Sequence, residues 1–359
     1  MKLTIEQPAL KDALAKATKA VQKRTIIPAL AMVRLTADGD ELSITGSDLD
    51  REVTTRATAT VDATGGACVN ADALLAHVGK LPAGALVSVD LDQATLTVKV
   101  GRSVRKLPTL PAEDFPVMAT DTYEAELTLQ SHEVQDLFGK VSFAASTEET
   151  RYYLCGVYLT QEDGRMVSVA TDGHRLAKWV SGVSGDFPAV IVPSDTIKAA
   201  VWPESGDVVV SISATKIKFA AGNWSMVSKV IDGIYPDYRR VIPSGNTGRA
   251  MFDGGAMKSS LAMVSTAASD RSRGVKFAIG DGAIELTAKS SELGEAVDTV
   301  AAEVAGDDLE IGFNSNYVVG AMSLLDGAAV LEYGGTGDPV VIKDDAAPDW
   351  LCVLMPLRV

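Results

Sequence analysis

One pattern of segments occurs three times along the chain, at intervals of roughly 120 residues, and such repeats constrain the fold more than any other feature. Each copy begins with apolar residues that recur every three or four positions, which is typical of one face of an amphipathic helix. These predicted helices cover residues 8–21, 131–144 and 256–267.

An Asp-Gly pair between two alternating stretches follows each of these helices. The pairs are Asp38-Gly39, Asp163-Gly164 and Asp281-Gly282. Asp-Gly between alternating segments predicts a two-residue β-hairpin, because both turn positions favour positive φ.

A second helix and a second strand pair complete each copy. An N-cap residue type opens each helix, and the helices cover 73–79, 196–201 and 316–325. The strand pairs are 86–91 with 95–100, 208–213 with 216–220, and 329–333 with 339–343. Short hairpins make neighbouring strands antiparallel, so the predicted class is α+β. We place three domains at 1–120, 121–245 and 246–359, with polar junctions near 120 and 245.

The net charge of −14, from 33 Lys and Arg against 47 Asp and Glu, argues against a protein that coats nucleic acid electrostatically. This net charge does not exclude a local basic surface.

Cys68, Cys155 and Cys352 are scattered and lack CxxC spacing, so we expect neither a disulfide framework nor a zinc site. Neither a signal peptide nor a membrane-spanning run is recognisable, and the expected compartment is the cytoplasm.

Several motifs occur in one order along the whole chain. They read Arg-Thr-Ile-Ile-Pro-Ala-Leu at 24–30, Thr-Asp-Gly-His-Arg-Leu-Ala at 171–177, Tyr-Pro-Asp-Tyr-Arg-Arg-Val-Ile-Pro at 235–243, Ile-Gly-Phe-Asn at 311–314 and Met-Pro-Leu-Arg-Val at 355–359. Together they closely resemble the bacterial DNA polymerase III beta subunits, the sliding clamps.

The resemblance implies three DNA-clamp domains with antiparallel sheets outside and two helices per domain inside. Two chains would close head to tail into a homodimeric ring around duplex DNA, as a processivity factor without catalysis, cofactor or metal. A ring holds DNA by enclosure and not by electrostatic attraction, so a chain with a net negative charge can still form such a clamp. The implied partners are the polymerase III alpha subunit, the clamp loader, translesion polymerases and mismatch-repair proteins, which would bind through short linear peptides. No membrane partner is implied. Basic residues in or near the helices are Lys11, Lys16, Lys19, Lys23, Arg24, Lys80, Lys140, Lys198, Lys258, Arg271 and Arg273.

The resemblance also implies a pocket for partner peptides. Its middle-domain side comprises Leu154, Thr171, Gly173, His174, Arg175, Leu176, Pro236, Arg240 and Val241. Its other side comprises Asn314, Tyr317, Val353, Met355, Pro356, Leu357 and Arg358. Only the middle copy carries His-Arg-Leu after its turn, since 46–51 and 289–294 lack it, so we expect the specialised site there.

Two further residue sets follow from the resemblance. Arg24, Tyr152 and Tyr153 match DNA-contacting positions, whereas Asp72 and Glu148 stand where relatives carry a basic or amide residue and would repel phosphate. The expected dimer interface pairs Arg105 and Leu107 with Thr266 and Ala267, which are smaller than the apolar residues relatives can use.

Two other functions compete with this interpretation. One is a scaffold or monomeric adaptor that forms no ring. The other is a hydrolase using Cys155 and His174 as a nucleophile–base pair, although GxSxG, P-loop and strand-linked GxGxxG motifs are absent from the sequence.

Overall fold

The computed structural model describes residues 1–22, 25–118, 122–269, 273–325 and 327–358. One order of elements occurs three times: a strand, a helix, four strands, a helix and three strands, with one additional short strand in the first copy. The threefold repeat and the antiparallel α+β class are therefore confirmed.

The first copy contains β1 (Lys2–Glu6), α1 (Gln7–Ala17), β2 (Met32–Asp38), β3 (Glu41–Ser47), β4 (Arg51–Thr58), β5 (Thr60–Ala63), β6 (Gly65–Asn70), α2 (Ala71–Val78), β7 (Leu86–Asp92), β8 (Thr95–Val100) and β9 (Ser103–Pro111). The second contains β10 (Ala125–Gln130), α3 (Ser131–Gly139), β11 (Gly156–Glu162), β12 (Arg165–Thr171), β13 (Arg175–Ser184), β14 (Val190–Pro193), α4 (Ser194–Ala199), β15 (Asp207–Ile212), β16 (Lys216–Ala221) and β17 (Trp224–Lys229). The third contains β18 (Gly248–Asp253), α5 (Gly254–Val264), β19 (Gly274–Gly280), β20 (Ala283–Ser290), β21 (Gly294–Ala305), β22 (Leu309–Asn314), α6 (Ser315–Met322), β23 (Ala328–Tyr333), β24 (Val340–Asp344) and β25 (Ala347–Leu354).

Side-chain caps determine where several helices begin. The Asn70 side chain accepts a hydrogen bond from the Ala73 backbone, and Asp253 does the same for α5. On α1, Leu10 and Leu14 face the core, as the apolar spacing predicted. Within the described residues, no helix combines the length and apolar character needed to cross a bilayer.

Two of the three hairpins have the predicted turn. Asp163 and Gly164 have φ of 49° and 77°, and the third-copy pair has nearly the same values. In the first copy the prediction was wrong by one residue. Asp38 ends β2, so the turn is formed by Gly39, with φ 55°, and Asp40. Strand pairing between Asp38 and Glu41 sets this register.

The first compact unit comprises Met1–Val134 and Asp195–Val230. It holds a thirteen-stranded antiparallel sheet in the order β10-β15-β16-β17-β4-β3-β2-β6-β9-β8-β7-β1-β5. Its core includes Leu14, Ile44 and Val89.

The second compact unit comprises Gln135–Ser194 and Ile231–Val359. Its twelve-stranded antiparallel sheet has the order β14-β11-β12-β13-β25-β24-β23-β18-β21-β20-β19-β22. A large core lies around α5 and α6, and a smaller cluster contains Leu154, Leu176, Tyr235 and Val353. This smaller cluster underlies the site.

Candidate peptide-binding pocket

A tight turn between β12 and β13 holds several of the predicted site residues of the middle copy. The Asp172 carboxylate accepts hydrogen bonds from the backbone N–H groups of His174 and Arg175, at 2.9 and 3.0 Å. Its second oxygen accepts from Arg175 Nε at 3.0 Å. Thr171 Oγ1 donates to the Arg175 carbonyl at 2.6 Å. Gly173 has φ +88°, a conformation that favours glycine. The turn is therefore closed by its own side chains.

Arg175 lies between two aromatic rings. Its guanidinium carbon is 4.5 Å from the Tyr317 ring centroid and 5.4 Å from that of Phe143, which are cation–π distances. The His174 ring stacks on Tyr317 at 6.3 Å. The turn is thus joined to α6, the helix that carries Tyr317.

The segment after β25 completes the site. The Met355 backbone N–H donates to the His174 carbonyl at 2.9 Å, and that of Leu357 donates to Gly312 at 2.8 Å. These bonds attach residues 355–358 to the turn and to the edge strand β22. In the adjoining strand pair, Leu176 lies opposite Val353.

An apolar cavity of about 60 Å³ lies at this junction. It is lined by Thr171, Gly173, Arg175, Leu176, Val241, Val353 and Met355. Leu176 and Val353 form the floor, each 2% exposed, whereas Val241 and Met355 are 45% and 40% exposed at the mouth. A pocket with a buried apolar floor and a half-exposed apolar mouth suits an inserted aliphatic or aromatic side chain.

The other predicted pocket residues take different positions. Leu154 is buried in the cluster beneath the cavity, and Asn314 caps α6 through a hydrogen bond from the Asn316 backbone. Pro236 and Arg240 are exposed outside the cavity lining, with Arg240 paired to Asp237. Pro356, Leu357 and Arg358 line a separate cavity of about 690 Å³ beside Lys276 and Glu310.

Three residues that support the candidate site were given no role there from the sequence: Phe143, Asp172 and Arg151. A Cβ on Gly173 would lie 2.6 Å from Arg151 Nη1, so the Arg151 guanidinium covers the turn. Arg151 pairs with Glu148 at 2.8 Å. Glu148, which we expected to repel phosphate, is therefore partly neutralised. The spacing of Asp172 and Arg175, shared with Asp48 and Arg51, was a signal available in the sequence.

The first copy has the same turn but a different floor. Arg51 Nε donates to Asp48 at 2.8 Å, as Arg175 does to Asp172. The next residue is Glu52, where the middle copy has Leu176. The Glu52 carboxylate accepts from the Met118 backbone at 3.0 Å, and burial raises its pKa. The apolar floor therefore distinguishes the middle copy from the first.

The hydrolase alternative finds no support in the geometry. Cys155 Sγ donates to the Glu148 carbonyl at 3.3 Å, and burial raises the pKa of the thiol. An activated cysteine needs a lowered pKa. His174, its proposed base, stacks instead on Tyr317. Among the described residues, no group of three or more His, Cys, Asp or Glu side chains is arranged to hold a metal ion.

The residues predicted to contact DNA or to form the dimer interface differ in their exposure. Arg24 lies outside the described residues. Tyr152 is exposed and meets Tyr153 edge to face at 5.7 Å. Arg105 and Thr266 are exposed.

Leu107 and Ala267, by contrast, are buried in the cores of their own units. The roles of these seven residues in DNA binding and dimerisation stay predictions.

Comparison with known proteins decides the family. Models of the N-terminal, central and C-terminal domains of the DNA polymerase III beta subunit match residues 1–119, 128–237 and 239–358. The chain belongs to the DNA polymerase III beta subunit family. The beta sliding clamps of Caulobacter vibrioides and Escherichia coli K12 are 39% and 31% identical to it, with complete coverage of both chains in each pair.

Solved structures of this family superimpose on the whole chain. A Caulobacter crescentus beta sliding clamp with polyethylene glycol bound has a TM-score of 0.94 at 38% identity, with 100% of this chain and 99% of that chain covered. A sliding clamp from Bartonella birtlesii bound to griselimycin has a TM-score of 0.95 at 33% identity, with both chains fully covered.

Proposed function

We propose that two copies of this chain encircle duplex DNA as a head-to-tail ring and tether the replicative polymerase and other partners to it. The observation that carries the proposal is the apolar cavity at the turn 171–175, in a chain that matches all three domain models of the family. The chain is a non-catalytic subunit, and the reaction belongs to the polymerase it holds. We propose domain boundaries at 120 and 245 and a cytoplasmic location.

The pocket would act by accepting apolar anchors from an extended partner peptide. A Leu or Phe side chain would displace water over Leu176 and Val353 while Val241 and Met355 close around it. A few such anchors supply most of the affinity in peptide recognition. Polymerase III alpha, the clamp loader, translesion polymerases and mismatch-repair proteins would use one pocket in turn.

A titration with a synthetic peptide carrying adjacent Leu and Phe tests the pocket. Met355→Glu places a charge at the apolar mouth, and we expect at least a ten-fold loss of affinity, about 1.4 kcal/mol. Met263→Glu on α5 is the matched control, because Met263 is also exposed but lies outside the cavity lining. Deletion of residues 355–359 is expected to abolish binding and leave the dimer intact. Peptide affinity that survives this deletion would contradict the pocket assignment.

Two incompletely paired strands support self-association. In β9, residues 103–108 pair with β8, but pairing with β6 covers only 109–111. In β21, residues 294–301 pair with β20, but pairing with β18 covers only 302–305. In the strand pairings of the described residues, each of these two strands therefore leaves one edge unpaired along more than half of its length. An unpaired edge is a template for pairing with another chain.

The charges on these two edges are opposite. Exposed Arg105 and Lys106 lie on β9, and Glu295 and Asp298 lie on β21. Pairing β9 of one chain with β21 of another would bring opposite charges together, which favours this arrangement over a like-with-like contact. Sedimentation is expected to give twice the mass of one chain, and Arg105→Glu is expected to shift the equilibrium toward monomer. A wild-type chain that sediments as a monomer at micromolar concentration would favour the adaptor alternative.

DNA binding would depend on enclosure more than on attraction. Lys11 and Lys19 are exposed at the first helix, but Lys16 pairs with Asp12 at 2.7 Å. A net charge of −14 leaves little long-range attraction for phosphate. Tyr152 and Tyr153 would contribute local contacts to the nucleic acid.

A further inference from the structure

A partly buried network holds the segment that carries Val241 to the sheet. Val241 ends a single 3-10 turn, Tyr238–Val241. The Glu162 carboxylate, at the end of β11, accepts from Tyr238 Oη at 2.5 Å and from Arg239 Nε at 3.1 Å. Its other oxygen accepts from Lys178 Nζ. One carboxylate therefore receives donors from the turn and from β13.

Aromatic packing strengthens this network. The buried Tyr238 ring lies edge-on to Tyr158, with the centroids 6.4 Å apart. The Arg239 guanidinium carbon lies 5.0 Å from the centroid of the Tyr238 ring, and Lys178 Nζ lies 6.0 Å from the same centroid. Burial acts to raise the pKa of Glu162, but the hydrogen bonds from Lys178 and Tyr238 and the positive charges of Lys178 and Arg239 together outweigh it, so the pKa lies below its ordinary value. Glu162 is ionised at neutral pH and is the counter-ion that Lys178 and Arg239 share.

The network is close in sequence to two residues that line the pocket, Val241 and Leu176. Tyr238 and Arg239 lie three and two residues before Val241, at the mouth of the cavity. Lys178 lies two residues after Leu176 on β13, so both side chains point to one face of the sheet. Glu162 thus connects the mouth of the cavity to its floor without lining it.

We propose that Glu162 is a positioning residue for peptide binding, because it fixes the Tyr238–Val241 turn and thereby places Val241 over Leu176. This inference rests on the proposed function of the pocket. Loss of the carboxylate leaves Lys178 and Arg239 close together without a counter-ion and leaves the Tyr238 hydroxyl without its acceptor. A partly buried hydrogen-bond network that loses its shared acceptor holds the attached segment less firmly.

The test measures affinity for the same Leu-Phe peptide. We expect Glu162→Ala to weaken binding roughly ten-fold and Glu162→Gln, which retains an acceptor for Tyr238, to weaken it about three-fold. Glu332→Ala is the matched control, because Glu332 also pairs with a lysine, Lys343, across two strands of the same unit. Glu332 and Glu162 are 29% and 19% exposed, and we expect the control to change affinity less than two-fold, roughly the error of a titration.

A double-mutant cycle separates positioning from general destabilisation. If Glu162 acts through Val241, Val241→Ala and Glu162→Gln together weaken binding no more than the stronger single change. Additive losses, or unchanged affinity in both Glu162 variants, would overturn the inference. A wild-type chain that binds no peptide would overturn the pocket itself. Peptide binding that depends on Val241 but not on Glu162 would overturn only the positioning role.

Discussion

The guanidinium of Arg175 is 4.5 Å from the centroid of the Tyr317 ring while its Nε is bonded to Asp172. One side chain thus joins a turn of the middle repeat to a helix of the third. Because Arg175 also lines the cavity, its orientation determines the shape of the pocket wall.

Arg175→Lys is expected to weaken peptide binding roughly five-fold, about 1 kcal/mol, because an ammonium cannot stack flat on Tyr317 and pair with Asp172 together. Isothermal titration with the Leu-Phe peptide measures the loss. Arg51→Lys is the control, since Arg51 makes the same turn with Asp48 but is not among the residues that line the cavity. Equal affinities of the wild type and the Arg175 variant would contradict the role of this contact.

Gly173→Ala is expected to reduce both stability and peptide affinity. The positive φ costs about 1 kcal/mol for alanine, and the new Cβ would lie 2.6 Å from Arg151 Nη1 and displace it. Gly164→Ala has a similar positive φ with no atom within 4 Å, so it reports the backbone cost alone. Urea unfolding and peptide titration of both variants measure the difference. Identical affinities in the two would show that Arg151 has no part in the pocket.

His77 predicts a pH-dependent stability of the first unit. Burial lowers the pKa of His77, and the nearby Arg105 lowers it further. The unfolded chain therefore takes up this proton at a higher pH than the folded chain, so the free energy of unfolding falls as the pH drops below about 6.5. Urea unfolding at pH 8 and pH 5.5 measures the change.

His77→Gln is expected to reduce the pH dependence, whereas His132→Gln, at an exposed position of α3, is expected to leave it unchanged. The same loss of stability at low pH in wild type and His77→Gln would show that another group is responsible.

Local features of the fold could be predicted from the sequence. The first helix of each copy was predicted from apolar spacing and the second from its N-cap residue, although α1 ends at Ala17 and not at the predicted residue 21. The turns at Asp163-Gly164 and Asp281-Gly282 follow from the backbone conformation that these residues favour. At 38–40, Asp-Gly-Asp permits two registers, and the strand pairing selected the second. The opening strand β1 was missed because it has five residues and its partner β7 lies more than 80 residues away, at Leu3 opposite Val89.

The site could not be predicted from local sequence pattern alone. Its floor and mouth, Leu176, Val353, Val241 and Met355, came from resemblance to a family. The supporting residues Phe143, Arg151 and Glu162 escaped notice because each acts through contacts made only after tertiary packing. Aromatic, basic and acidic residues of these types are common on any surface, and nothing in their spacing distinguishes them.

Retention on DNA tests the central claim most directly. The chain is loaded by a clamp loader onto closed circular DNA, and half of the sample is then linearised before gel filtration. Enclosure predicts that the protein stays with the circles at salt concentrations that abolish electrostatic binding, and that it is lost from the linear molecules. Equal retention on circular and linear DNA would contradict encirclement.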